Sequence, residues 1–301
     1  MWHRRDMLLY ASDTNTGAAG KGESDMSATD VVTYRVEDRI AWVYFARPDK
    51  RNAMSPTLNR RMLEVLDELE FRDDVGVLVL GGEGTAWSAG MDLKEYFRET
   101  EAQGLRGVRQ SQRESYGWFR RLRWFQKPTI AMVNGWCFGG GFGPLFACDL
   151  AITADDAQFG LSEINWGILP GGGVTKVVVD LLSMRDAMWM TLTGELIDGK
   201  KAAEWRLVNE SVPLDRLEAR VREVAALLLK KNPVALKFAK DAVRRVGTMT
   251  YDEAEDYLVR MQEAANFHDK TDGRKEGIRQ FIDEKSYKPG LGSYDLSKTD
   301  A

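Results

Sequence analysis

The segment NGWCFGGGFGPLFACD, residues 134–149, limits this chain more than any other. Gly139, Gly140 and Gly141 follow an apolar run, and Gly143 and Pro144 precede another. Three glycines where a strand gives way to a helix free the backbone to turn sharply and leave its amides open to close approach. The first N–H groups of a helix have no intrahelical acceptor, and the helix dipole is positive there. Proline in the first turn costs no internal bond, so Pro144 suits that position. The junction is therefore built to face negative charge, either a phosphate or an oxygen developing charge on a carbonyl. No lysine follows in the manner of GxxxxGK[ST], and GxGxxG spacing is missing from this stretch. Close packing of helix on strand accounts for the glycines equally well.

A second segment shifts that balance. GGEGTAWSAGMDL, residues 81–93, also follows a buried apolar run and also opens a helix near Met91 and Asp92. Two strand–glycine–helix junctions can each aim one amide at a single carbonyl oxygen, which is the geometry of an oxyanion hole. FGLSEINWGILPGGG, residues 159–173, adds Glu163 among apolar residues and glycines. Burial would raise its pKa and suit it to proton transfer. Taken alone, Glu163 is more simply read as a turn cap or a lysine partner.

Around these segments the pattern is α/β. VVTYRVEDRIAWVYFARP reads as a hairpin turning at residues 37–39 and stopping at Pro48. Ser55 and Pro56 open an amphipathic helix. VGVLVLGG, PTIAMVNG and CDLAITAD read as strands buried on both faces, separated by helices over 91–99 and 105–126, hence a largely parallel sheet. Beyond residue 172 the pattern turns helical, with one short strand in RLVNESVP and three last helices from residue 231. Residues 1–30, polar and rich in Gly, Ser, Thr and Asp, read as a flexible tail, and 292–301 as a polar one.

Composition excludes several functions. A net charge of −4 does not suit bulk electrostatic binding of nucleic acid, and no apolar run reaches the length of a membrane span. Only two histidines are present, so a Ser-His-Asp or Cys-His machine or a histidine-rich metal site lacks material. Cys137 and Cys148 sit in apolar surroundings and read as buried thiols of a reducing, cytoplasmic compartment.

RPDKRNAMS, SAGMDLKEY, NGWCFGGG, ACDLAITADDAQFGLSEINWGILPG and RLVNESVP, in that order, resemble the crotonase, or enoyl-CoA hydratase/isomerase, superfamily over residues 31–291. RNAMSPTLNR, AGMDLKEYFRE, MVNGWCFGGGF, FGLSEINWGI and EKSYKPGL are most similar to its hydroxycinnamoyl-CoA (feruloyl-CoA) hydratase-lyases.

The resemblance implies an α/β, crotonase-like spiral of ββα units over 31–212 and a helical trimerisation region over 213–291, as a homotrimer or a dimer of trimers. It implies an acyl-CoA substrate with its thioester carbonyl between the amides of Met91 and Gly140, Glu163 as acid and base, and no further cofactor or metal. Simple hydratases of the superfamily carry a second glutamate where this chain has Gly143, and the hydratase-lyases carry a serine there. One carboxylate is thus expected to manage the protons, with an ordered water beside Gly143. The resemblance further implies a ring hydroxyl met by Tyr96, with the family's other tyrosine falling at Val259 and Tyr257 nearby. One or two of Trp87, Trp118, Trp124, Trp136 and Trp166, with Trp166 the first candidate, would line the acyl pocket. CoA would be held by backbone around Arg51, Asn52 and Ala53, with Arg47 or Lys50 for phosphate and Phe281 and Lys285 near a neighbour's site. The expected activity is hydration and retro-aldol cleavage of 4-hydroxycinnamoyl-CoA to an aromatic aldehyde and acetyl-CoA. An isomerase or hydratase acting on another acyl-CoA, and a catalytically weak binding member of the fold, are the alternatives.

Overall fold

In the computed structural model, residues 30–288, 290 and 292–299 are described. All but Asp30 of the tail expected over 1–30 lies outside them. β1 (Val32–Glu37) and β2 (Ile40–Phe45) form the expected hairpin, its turn made by Asp38 and Arg39, both left-handed. Ser55 caps α1 (Pro56–Glu70) by accepting from the Leu58 amide, and the helix buries Leu58, Met62, Val65, Leu66 and Leu69.

Three repeats of strand, short strand and helix follow. β3 (Val77–Gly82) and β4 (Ala86–Ser88) lead into a π-helical turn at Leu93–Arg98, then α2 (Glu99–Ala102) and α3 (Gly104–Arg123). β5 (Thr129–Val133) and β6 (Trp136–Phe138) lead through a 3-10 turn at Gly139–Gly141 into α4 (Phe142–Ala147). β7 (Leu150–Ala154) and β8 (Gln158–Gly160) lead through a 3-10 turn at Ser162–Trp166 into α5 (Val174–Leu181). α6 (Met184–Thr193), β9 (Ile197–Asp198), α7 (Gly199–Glu204) and β10 (Glu210–Val212) complete the core. The long strands form one sheet in the order β1-β2-β3-β5-β7-β10, parallel but for the β1–β2 pair. The short ones form a second, β4-β6-β8-β9, parallel but for the β8–β9 pair. This is the spiral of ββα units. The second sheet was not expected from the sequence, because strands of two or three residues carry no readable alternation.

Phe45 packs edge-on against Trp87 and Trp118, with ring centroids 5.5 and 6.0 Å away. Both indoles are fully buried, and their N–H groups donate to Leu80 O and Asn59 Oδ1. These two tryptophans belong to the core and not to an acyl pocket.

α8 (Leu217–Leu229), α9 (Pro233–Val246), α10 (Tyr251–His268) and α11 (Gly273–Arg279) form the C-terminal helical region. No described helix is long and apolar enough to cross a membrane. Residues 292–299 dock back on it: Asp295 N donates to Gln280 Oε1 and Gln280 Nε2 to Asp295 O. α9 is pinned to the core by two cations. Lys240 Nζ lies 2.8 Å from Asp149 Oδ2 and donates to Phe125 O and Lys127 O, while Arg244 binds Asp149 Oδ1 and Ala147 O. Burial lowers the Lys240 pKa and the Asp149 charge opposes that fall. Replacing Asp149 by Ala would leave two cations facing each other in a nearly dry site. We expect a loss of about 3 kcal/mol of unfolding free energy, read by denaturant titration.

Candidate active site

The ends of β4, β6 and β8 lie side by side, with Cys137 opposite Ser88 and Phe159. Each strand then delivers one component. After β4, Met54 pairs with Met91 in an isolated parallel bridge: Met54 N donates to Gly90 O and Asp92 N to Met54 O. Those bonds flank Met91, so the alternation of an extended chain turns its own N–H to the opposite side, toward Gly140. Asp92 fixes the turn that follows by accepting from the amides of Lys94 and Glu95.

The two glycine junctions meet there. A Cβ built on Gly140 would lie 3.2 Å from Met91 N, and one on Gly90, which has φ +90°, would lie 2.7 Å from Phe138 O and 3.1 Å from Gly140 N. Neither position has room for a side chain. The amides of Met91 and Gly140 are thereby placed next to each other, as an oxyanion hole requires.

Glu163 stands on the turn after β8 and faces Gly139, where an added Cβ would lie 2.7 Å from its Oε1. Its turn carries no side-chain cap at Leu161, and no ion pair joins Glu163 to a described cation. Its Oε2 is buried without a hydrogen-bond partner. Burial pushes the carboxyl above the usual carboxylate range, partly offset by a bond from its own backbone. A carboxyl whose pKa is raised by burial and which keeps one free oxygen is suited to proton transfer.

A Cβ on Gly143 would lie 2.7 Å from Cε2 of Phe119 and 3.0 Å from its Cδ2. The space beside Gly143 is therefore filled by an aromatic ring, not by the ordered water expected from the sequence. Tyr96, on the π-helical turn, is buried at 7% exposure, and its hydroxyl pairs with Ser115 Oγ at 3.0 Å. Burial raises its pKa and the Ser115 bond lowers it.

The residues expected around CoA differ in what already occupies them. Arg47 is committed to Asp92 (3.1 Å), Glu95 (2.5 Å) and Ala53 O (2.7 Å), so it is not available to a phosphate. Asn52 is fully buried and donates to Glu83 O and Ala86 O, so its side chain staples two loops. The amides of Arg51, Asn52 and Ala53 donate to Pro48 O, Arg47 O and Lys50 O, so none of these N–H groups is free for CoA. Lys50 and Arg51 are exposed, and Arg51 lies over the ring of Trp136 at 4.4 Å. Trp166 is 56% exposed on the Glu163 turn. Tyr257 and Val259 sit on α10, and Phe281 and Lys285 at the turn after α11. Phe119, Ser115 and Tyr116 were missed in the sequence. The side-chain-free position at Gly143 was the one signal that something else must fill that space.

Residues 35–289 match the model of the enoyl-CoA hydratase/isomerase family. The chain belongs to this family. A hydroxycinnamoyl-CoA hydratase-lyase of Pseudomonas fluorescens is 53% identical over 264 residues, which is 87% of this chain and 96% of that protein. A short-chain-enoyl-CoA hydratase of Clostridium acetobutylicum is 31% identical over 251 residues, 83% of this chain and 93% of its own. The crystal structure of an enoyl-CoA hydratase from Bacillus anthracis superposes with a TM-score of 0.78 at 25% identity, covering 89% of this chain and all of that one.

Gly139 has φ +47° as well as the Glu163 carboxylate against it. Gly139→Ala would displace that carboxylate, and we expect turnover to fall by about a hundredfold with the far-ultraviolet circular dichroism unchanged.

Proposed function

We propose that this protein hydrates 4-hydroxycinnamoyl-CoA thioesters and cleaves the product to an aromatic aldehyde, such as vanillin or 4-hydroxybenzaldehyde, and acetyl-CoA. The observation that carries the proposal is a buried carboxylate, Glu163, with one oxygen unpartnered, beside a strand-end junction that sets the amides of Met91 and Gly140 together. The Pseudomonas hydratase-lyase, at 53% identity, narrows the acyl-CoA reading to this substrate class.

The thioester carbonyl accepts from both amides. Ionised Glu163 takes a proton from water as the water oxygen bonds to the β-carbon, and charge moves onto the carbonyl oxygen as an enolate. Glu163 then returns the proton to the α-carbon. In the second half the carboxylate takes the β-hydroxyl proton, the bond between the α- and β-carbons breaks, and the aldehyde leaves. The electron pair is again held as the enolate between the two amides, and protonation at the α-carbon yields acetyl-CoA. A para-hydroxyl on the ring helps by feeding electron density toward the β-carbon. With Gly143 closed by Phe119, no second carboxylate stands there to share the work.

Proton transfer and amide donors suffice for these steps, so we propose no cofactor beyond the CoA thioester. Exposed apolar residues on α10 and the turn after α11, among them Leu258, Phe281 and Ile282, support assembly as a homotrimer or a dimer of trimers. Two buried free thiols support a cytoplasmic setting.

Feruloyl-CoA and crotonyl-CoA, each mixed with the purified protein, test the proposal by chromatography of the products. Vanillin with acetyl-CoA from the first and little change in the second is expected. Hydration or isomerisation without aldehyde would overturn the cleavage. Glu163→Gln should abolish aldehyde release. Because burial raises the Glu163 pKa in the fold, its stabilising protonation is complete below the unfolded value and is lost as pH rises through the folded one. The Gln variant should therefore be no less stable than the parent at neutral and higher pH, as thermal melts would show.

A further inference from the structure

One aromatic hydroxyl beside the site has no role in the steps above. α3 carries Ser115, Tyr116 and Phe119, and residues three apart on a helix share a face. Phe119 of this face closes the space at Gly143, three residues beyond the oxyanion amide of Gly140. Tyr116 stands one turn earlier, about 5 Å along the same face. Its hydroxyl lies 3.4 Å from where a Cβ on Gly172 would sit, in the loop that follows the Glu163 turn. It makes no hydrogen bond to any described residue, and the side chain is 42% exposed. The Tyr116 phenol is also near enough to Tyr96 to add to the rise in that residue's pKa. An aromatic acyl group leaving the hole and turned aside from Gly143 by Phe119 would run along this face of α3, toward Tyr116 and toward Tyr96, which bonds Ser115 of the same helix.

The two tyrosines differ in what they can still offer. Ser115 Oγ donates to Gln112 O at 3.1 Å, so in the 3.0 Å pair with Tyr96 the tyrosine is the donor. Tyr96 Oη then retains only acceptor capacity for a ligand. The Tyr116 hydroxyl is free to donate. A phenol both gives and accepts one hydrogen bond, and these two groups are complementary to it, while Val259 offers neither bond.

We infer that Tyr116 reads the para-hydroxyl of the substrate ring, donating to the phenol oxygen while Tyr96 accepts the phenol proton. This rests on the aromatic acyl-CoA reading above and names the residue that makes it selective. Phe119 and Gly172 serve the same arrangement, the first by directing the ring along α3 and the second by leaving room for the Tyr116 hydroxyl.

The test separates recognition from turnover. In the Glu163→Gln protein, which does not turn over, the Kd of p-coumaroyl-CoA and of cinnamoyl-CoA, which lacks the hydroxyl, are measured by calorimetry with and without Tyr116→Phe. We expect tighter binding of p-coumaroyl-CoA with Tyr116 in place. Tyr116→Phe should reduce that preference about fivefold, the size of one net hydrogen bond, and leave cinnamoyl-CoA unchanged. An unaltered preference, no preference at the outset, or equal weakening of both ligands would each overturn the role. Failure of the cleavage reading would show separately, as absence of 4-hydroxybenzaldehyde from p-coumaroyl-CoA and the otherwise unmodified enzyme.

Discussion

The site depends on two stretches of main chain meeting more closely than any side chain permits. Gly90 and Gly140 touch across the gap between β4 and β6, and this contact places the Met91 and Gly140 amides together. The small sheet holds that approach in register. Its strands β4, β6 and β8 run parallel, so their three exits fall on one side and bring Met91, Gly140 and Glu163 into one place from positions far apart in the chain. The large sheet and α1 supply the rigid base on which these short strands sit.

The charged groups divide into two kinds. Arg47, Asp149, Lys240 and Arg244 are saturated with partners and hold loops or helices in position. Glu163 is the opposite, half-buried with an oxygen left unsatisfied. An unpartnered buried polar atom is costly, and Glu163 is the carboxyl on which that cost falls beside the two amides. The same distinction separates Asn52, whose amide group is spent on Glu83 O and Ala86 O, from the amides of Met91 and Gly140.

The hairpin, the capped α1, the long buried strands and the C-terminal helices were legible because each rests on local signals: turn residues, a cap, a continuous apolar run, helical periodicity. Both glycine junctions and Glu163 were legible for a similar reason, since strand–glycine–helix is a local pattern. What was not legible depended on contacts distant in sequence. Nothing near Arg47 announces that Asp92 and Glu95 will occupy it, 45 and 48 residues later. Nothing near Trp118 announces that Asn59 will take its N–H. Phe119 looks like any helix residue until α4 brings Gly143 against its ring.

That last contact also bears on how this enzyme could change over generations. With Phe119 lodged where a side chain at position 143 would point, restoring an acid or hydroxyl there by a single substitution meets a ring instead of an opening. Such a substitution would need the Phe119 ring to swing aside or residue 119 to shrink, the latter opening a cavity beside Gly143. Positions 119 and 143 are therefore coupled, and a change at one is judged by what stands at the other.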